Sequence, residues 1–201
     1  MPLLLSKKVR ENAAYAVWNI QETFLEIPYM SVEPYPAQLH PVRQAEWIIG
    51  RILIKSLCDI FQLEYKGVGI RETGKPYLIG HDVDISISHS FPMACAMMDL
   101  EKPCGIDLER PREKMVHVQD KFLHKSELQY RNDLIKVCEI WCAKEVIYKI
   151  HGRKYLSLKD EIKVKFKDEN TMIGEIVRPG EEAKFKVHYE WVKEYVLGYS
   201  V

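Results

Sequence analysis

The sequence predicts an α+β protein built from two similar halves, residues 1–102 and 103–201. Two observations carry that prediction. Each half holds a stretch with apolar residues at helical spacing, and each holds consecutive strand-like runs split by polar turns, the pattern of an antiparallel sheet. Length bounds the architecture: 201 residues suit one large domain or two small halves packed together, and no long linker or low-complexity segment divides them.

In the first half, Tyr15 to Ile20 is a short apolar run around Trp18 and reads as a strand. Glu33 to Pro41 carries three prolines and reads as a loop. From Val42 to Phe61 the apolar positions Ala45, Ile48, Ile49, Ile52, Leu53, Leu57 and Ile60 recur as on one helix face, with Arg43, Glu46, Arg51 and Lys55 on the polar side. Thr73 to Pro76 is a turn. Val83 to His89 then alternates strictly, with Val83, Ile85 and Ile87 expected to point inward. Phe91 to Leu100 reads as a buried strand and Cys104 to Arg110 as a third, completing an antiparallel meander. In the second half, a helical region over Lys114–Tyr130 and a longer helix over Asp133–His151, with Gly152 as its C-terminal cap, precede four strands. These strands are Glu161–Lys167, Thr171–Val177, Ala183–Trp191 and Glu194–Val201.

Composition narrows the function. No stretch approaches the length that crosses a bilayer, and the leading Met1–Leu5 followed by Lys7 and Lys8 runs in the reverse order of a secretory signal. The five cysteines are odd in number and form no C-x-x-C pair, which points to free thiols in a reducing cytoplasm. Cys138 and Cys142, one turn apart, read as core packing. With a formal net charge of zero, no global field recruits nucleic acid, so an anionic partner has to be held by a local cluster.

The chemistry concentrates in Gly105-Ile-Asp-Leu-Glu109. Asp107 and Glu109 share one strand face, and two close carboxylates are relieved by a shared proton or a bound cation. Mg²⁺ suits such an all-oxygen pair; the competing reading is a solvated acidic edge strand. In the long helix, Trp141, Glu145 and Lys149 fall on one stripe. A surface Glu-Lys pair accounts for the spacing, but a tryptophan favours a covered stripe and makes Glu145 a candidate third carboxylate. Ser88, His89, Lys75, Arg43 and Arg51 are phosphate-competent, arginine through its planar fork, although a histidine closing a strand is commonly structural.

Taken in order, Gly74-Lys-Pro-Tyr77, Ile85-Ser-Ile-Ser-His-Ser90, Gly105-Ile-Asp-Leu-Glu109 and Trp141-Cys-Ala-Lys-Glu145 with Lys149 resemble the 4′-phosphopantetheinyl transferase superfamily. The layout looks most like its pseudo-dimeric, surfactin-synthetase-activating type, and the Arg43-x-x-Glu46-Trp47-x-x-Gly50-Arg51 helix is similar to that family's N-terminal helix. The resemblance covers about residues 15 to 155. It implies two halves related by a pseudo-twofold axis in a monomeric cytoplasmic enzyme, with no membrane or nucleic-acid partner. The implied reaction moves the phosphopantetheine arm of coenzyme A to a serine of an apo acyl or peptidyl carrier protein and releases 3′,5′-ADP. It implies a Mg²⁺ site at Asp107, Glu109 and Glu145, with Glu145, directly or through a metal-bound water, as the base and Lys149 on the pyrophosphate. His89 and Ser88 become phosphate contacts, Lys75 a contact near the adenine or 3′-phosphate end, and Arg43 and Arg51 3′-phosphate binders. Lys114, Met115, Lys121 and Lys125 become candidates for carrier docking. The family's lysine-rich N-terminal segment has no clear equivalent between Trp18 and Pro41. The alternative is a degenerate homologue that binds coenzyme A or a carrier without turnover.

Overall fold

The computed structural model describes residues 3–152 and 155–201, in two compact units, Met1–Cys104 and Gly105–Val201. Each is an antiparallel sheet with one long helix, so the α+β class expected from the sequence holds in both.

The first unit contains β1 (Leu3–Arg10), β2 (Ala13–Asn19), α1 (Pro41–Phe61), β3 (Val68–Ile70), β4 (Pro76–Leu78), β5 (Asp84–Ser90) and β6 (Met93–Asp99). Its sheet runs β1-β2-β6-β5-β4-β3. Helix α1 starts at Pro41, whose missing N–H costs nothing at that position, with His40 accepting the Val42 N–H. It ends at Gln62 in the left-handed conformation. The strands below it carry small residues: Ala14 and Ala16 of β2 stand in register with Met98 and Ala96 of β6. That low floor lets Ile48, Ile49, Leu53, Ile54 and Leu57 bury completely. Two elements were not legible in the sequence. The first is β1, since Leu3 to Arg10 alternates poorly; Met1 and Pro2 of the leader reading lie outside the described residues. The second is the short β3/β4 hairpin beside the Thr73–Pro76 turn.

The expected three-strand meander is not formed. β5 and β6 do make the hairpin, but the acidic segment pairs elsewhere, because β6 already has β2 on one edge and β5 on the other. The chain turns away after Asp99, whose carboxylate meets Arg10 and accepts the N–H groups of Glu101 and Lys102. On β5, Ile85 is buried and Ile87 packs against the core as expected, as does Val83 just before the strand, yet Ser86, Ser88 and Ser90 on the other face are buried too.

The second unit holds β7 (Ile106–Glu109), α2 (Glu113–Val118), α3 (Leu134–Ile150), β8 (Ile162–Asp168), β9 (Thr171–Arg178), β10 (Glu181–Val192) and β11 (Tyr195–Ser200). The sheet order is β7-β11-β10-β9-β8, so the acidic strand pairs with the last strand of the chain, Asp107 opposite Gly198. The continuous helix expected over Lys114–Tyr130 is instead α2 followed by two 3-10 turns, Gln119–Lys121 and Lys125–Tyr130. Gln119 spends its side chain on Asn132, and the Phe122 carbonyl is taken by Lys144, so the backbone leaves helical register there. Helix α3 begins where Asp133 accepts the Lys136 N–H, and it is buried over most of its circumference. All five cysteines are free and buried, which fits core packing for Cys138 and Cys142. Among the described residues no helix is long and apolar enough to cross a membrane.

Helix α3 reaches the sheet through glycines. A Cβ on Gly105 would sit 2.3 Å from the Val146 carbonyl oxygen, and one on Gly174 2.1 Å from Ile147 Cδ1. The Gly105 obstacle is backbone, which cannot swing aside. Gly105→Ala is therefore expected to cost about 1–3 kcal/mol, the range typical of overpacking, read as a lower urea midpoint at unchanged slope. A wild-type midpoint would show that the helix has room to lift.

Candidate functional site

The acidic strand and α3 meet at one buried ion pair. Asp107 is only 5% exposed, and its Oδ1 lies 2.7 Å from Lys149 Nζ. Lys149, also buried, gives a second hydrogen bond to the Ile106 carbonyl at 2.8 Å. Glu109, two residues along the same strand face, is half-buried and accepts its neighbour Arg110's N–H at 2.8 Å. Glu145, one helical turn before Lys149, is half-buried as well. Thus the partner seen for Asp107 is Lys149, and among the described residues no three Asp, Glu, His or Cys side chains are drawn into a metal-sized cluster. The donor chemistry itself suits a hard cation: carboxylates on one strand face, with a third on the helix that already touches that strand. The nearby thiols do not compete. Burial holds Cys142 far above the ordinary thiol range, and its S–H is directed to the Val196 carbonyl.

In the first unit, two of the phosphate candidates share one carboxylate. Glu46 on α1 accepts Arg43 Nη1 at 2.7 Å and pairs with His89 Nδ1 at 3.2 Å. Burial raises the Glu46 carboxyl, but the hydrogen bond and charge of His89, then those of Arg43, bring it below the ordinary carboxylate range. Arg43 is largely exposed and His89 partly so. Arg51, eight residues on, is committed elsewhere. Its guanidinium stacks 3.5 Å from the Trp47 ring centre, and its Nε lies 3.3 Å from Glu33, which also accepts the Tyr65 hydroxyl. Lys75 is buried, 2.5 Å from Asp84, whose same oxygen takes the Cys104 N–H at 2.7 Å. Ser88 is buried on β5.

Residues 103–200, the stretch holding Asp107, Glu109, Glu145 and Lys149, match the family model described as the 4′-phosphopantetheinyl transferase superfamily. That match takes in just under half of the chain. A protein of Aneurinibacillus migulanus named "4′-phosphopantetheinyl transferase gsp" is 31% identical over 116 residues, 53% of this chain and 48% of that protein. The chain thus spans about half the length of this curated relative.

The matched stretch carries a cleft of about 320 Å³ lined by Glu109, the basic Arg110, Arg112 and Lys114 and the apolar Met115, Phe122 and Trp141. Of the four residues expected to dock a carrier, Lys114 and Met115 line it and Lys121 and Lys125 do not. Trp141 is half-buried, its ring edge-on to Phe122 with centroids 4.9 Å apart.

Sequence reasoning missed Lys144. Its side chain is fully buried and its ammonium has four oxygen partners: Glu127 at 2.8 Å and the carbonyls of Phe122, Leu158 and Ile162 at 2.7, 2.8 and 2.8 Å. Burial pulls the Lys144 pKa down while Glu127 opposes. A signal for it existed: Ile140 and Ile147, at i−4 and i+3, place Lys144 on the apolar stripe. Lys144→Met would leave three carbonyls without this donor and the buried Glu127, which keeps the His124 and Val164 N–H groups, without its counter-charge, so we expect a loss of about 3–5 kcal/mol in chemical denaturation. The double variant Lys144→Met/Glu127→Leu should recover part of it; equal losses in the single and double variants would mean the pair itself contributes little.

Proposed function

We propose that this protein transfers the 4′-phosphopantetheine group of coenzyme A to a serine of an apo acyl or peptidyl carrier protein, with Mg²⁺, giving holo-carrier and 3′,5′-ADP. The observation that carries this reading is the Asp107–Lys149 pair. It joins the strand and helix that hold every residue of the expected metal and pyrophosphate set, inside the stretch that matches the superfamily.

Asp107, Glu109 and Glu145 would hold the cation, whose charge offsets that of the pyrophosphate. Glu145 takes the proton of the carrier serine. The serine oxygen forms a bond to the phosphorus on the pantetheine side, the bridging P–O bond breaks, and its electron pair leaves with 3′,5′-ADP. Lys149 donates to the departing oxygen; Asp107 holds its ammonium in place until then. His89, Ser88 and Lys75 are assigned to the phosphates and the adenosine end, and Arg43, the exposed arginine of α1, to the 3′-phosphate. Arg51, stacked on Trp47 of its own helix, serves that end by tying α1 to Glu33. The mixed basic and apolar lining of the cleft at Glu109 suits a carrier that is acidic with an apolar contact. The free, buried cysteines suit a reducing cytoplasm, and we assign a monomer.

Incubation with apo carriers, coenzyme A and MgCl₂ should add one phosphopantetheine arm to the carrier, read by intact-protein mass spectrometry. No mass shift across a panel of carriers would refute the proposal. Asp107→Asn and Glu145→Gln should each lower kcat by roughly a hundredfold or more while the far-UV spectrum is kept. A binding homologue is the second reading, favoured by the neutralisation of Asp107 by Lys149. Calorimetry separates the two: coenzyme A affinity that ignores Mg²⁺ supports the binder, and affinity that rises with Mg²⁺ supports the enzyme.

A further inference from the structure

The helix α1 carboxylate Glu46 has no role in the reaction above, yet it is only 6% exposed and holds two basic groups that are much more exposed than itself: Arg43 at 62% and His89 at 38%. A buried carboxylate is costly unless its oxygens are used, and here both are, Oε2 by Arg43 and Oε1 by His89. The arrangement has a direction. The carboxylate is covered, and the two basic groups that hold it are the ones open to water. Because a carboxylate only accepts, the His89 nitrogen facing it must be Nδ1–H, which leaves Nε2 as the ring nitrogen not committed to Glu46. Glu46 and Arg43 lie on adjacent turns of a helix whose other face is locked into the core, and His89 is the exposed residue near the end of β5, so neither partner can drift far.

We propose that Glu46 is a positioning residue: through His89 Nδ1–H it orients the ring, and it steers Arg43, so that the Nε2–H of the imidazolium form and the guanidinium together donate to one phosphate group of the substrate. The inference rests on the coenzyme A reading given above for the identity of that substrate, but not for the geometry. One carboxylate shared between an imidazole and a guanidinium leaves the trio cationic when both carry charge, which favours a phosphate at its outer side. The interaction is made equally in the ground and transition states, so its loss falls on KM and spares kcat.

The test has a spectroscopic arm and a binding arm, on Glu46→Ala, Glu46→Gln and His89→Ala. The chain has seven histidines, so His89→Ala identifies the His89 imidazole signal in long-range ¹H–¹⁵N spectra. At mildly alkaline pH the wild type should show His89 as the Nδ1–H tautomer. Glu46→Ala should switch it toward Nε2–H, and Glu46→Gln, whose amide oxygen still accepts, should keep it. In parallel, coenzyme A KM and calorimetric Kd should rise about tenfold in Glu46→Ala with kcat within about twofold, and Glu46→Gln should restore most of the affinity. A His89 tautomer indifferent to Glu46→Ala overturns the proposal, as does unchanged coenzyme A affinity despite a switched tautomer. A wild type that binds coenzyme A but modifies no carrier overturns only the transferase reading. A wild type that binds no coenzyme A overturns both.

Discussion

A helix buried on most sides can carry charge only if the surrounding chain brings a counter-charge to each site, and that constraint organises the second unit. Helix α3 contributes two buried ammonium groups. Lys144 gathers Glu127 from a 3-10 turn, the Phe122 and Leu158 carbonyls from loops and the Ile162 carbonyl at the start of β8, and Lys149 takes Asp107 from the edge strand. Each pair is expensive to desolvate and is tolerable because the remaining donors are also satisfied. The two lysines sit five residues apart and do different work. One fastens loops to the helix; the other faces the strand on which the proposed chemistry depends.

The close approach of that strand follows from glycine at Gly105, since any side chain would meet the helix backbone. Without that proximity Lys149 would have to stretch or surrender one of its two acceptors on β7, the Ile106 carbonyl and the Asp107 carboxylate. The glycine of the Gly105–Glu109 motif is thus a spacing device, and the acidic residues that follow inherit their position from it. In the first unit, alanines in β2 and β6 serve a similar end under α1, which sets the level at which Glu46 meets His89.

Most of the fold was legible where periodicity was strong. The α1 stripe, the β5/β6 hairpin, α3 and the last four strands appear within a few residues of their expected bounds. Two of the failures share one physical cause, the competition of distant partners. Cys104 to Arg110 reads as the next strand of a meander, yet β6 had no free edge and β11 did. Lys114 to Tyr130 reads as one helix, yet the Phe122 carbonyl is taken by Lys144. Leu3 to Arg10 lacks alternation and becomes a strand by pairing with β2.

What the sequence settled by itself was residue chemistry and short-range geometry: which carboxylates share a strand face, which residues share a helix stripe, and the order of motifs that resembles one superfamily. Local backbone periodicity fixes these without regard to the rest of the chain. Partner choice was decided only by the tertiary structure. Asp107 is answered by Lys149, His89 and Arg43 are joined through Glu46, and Arg51, which reads as an anion binder beside Arg43, is turned onto Trp47 and Glu33. Those choices depend on contacts between residues far apart in the chain, where burial and hydrogen-bond satisfaction rather than spacing select the winner.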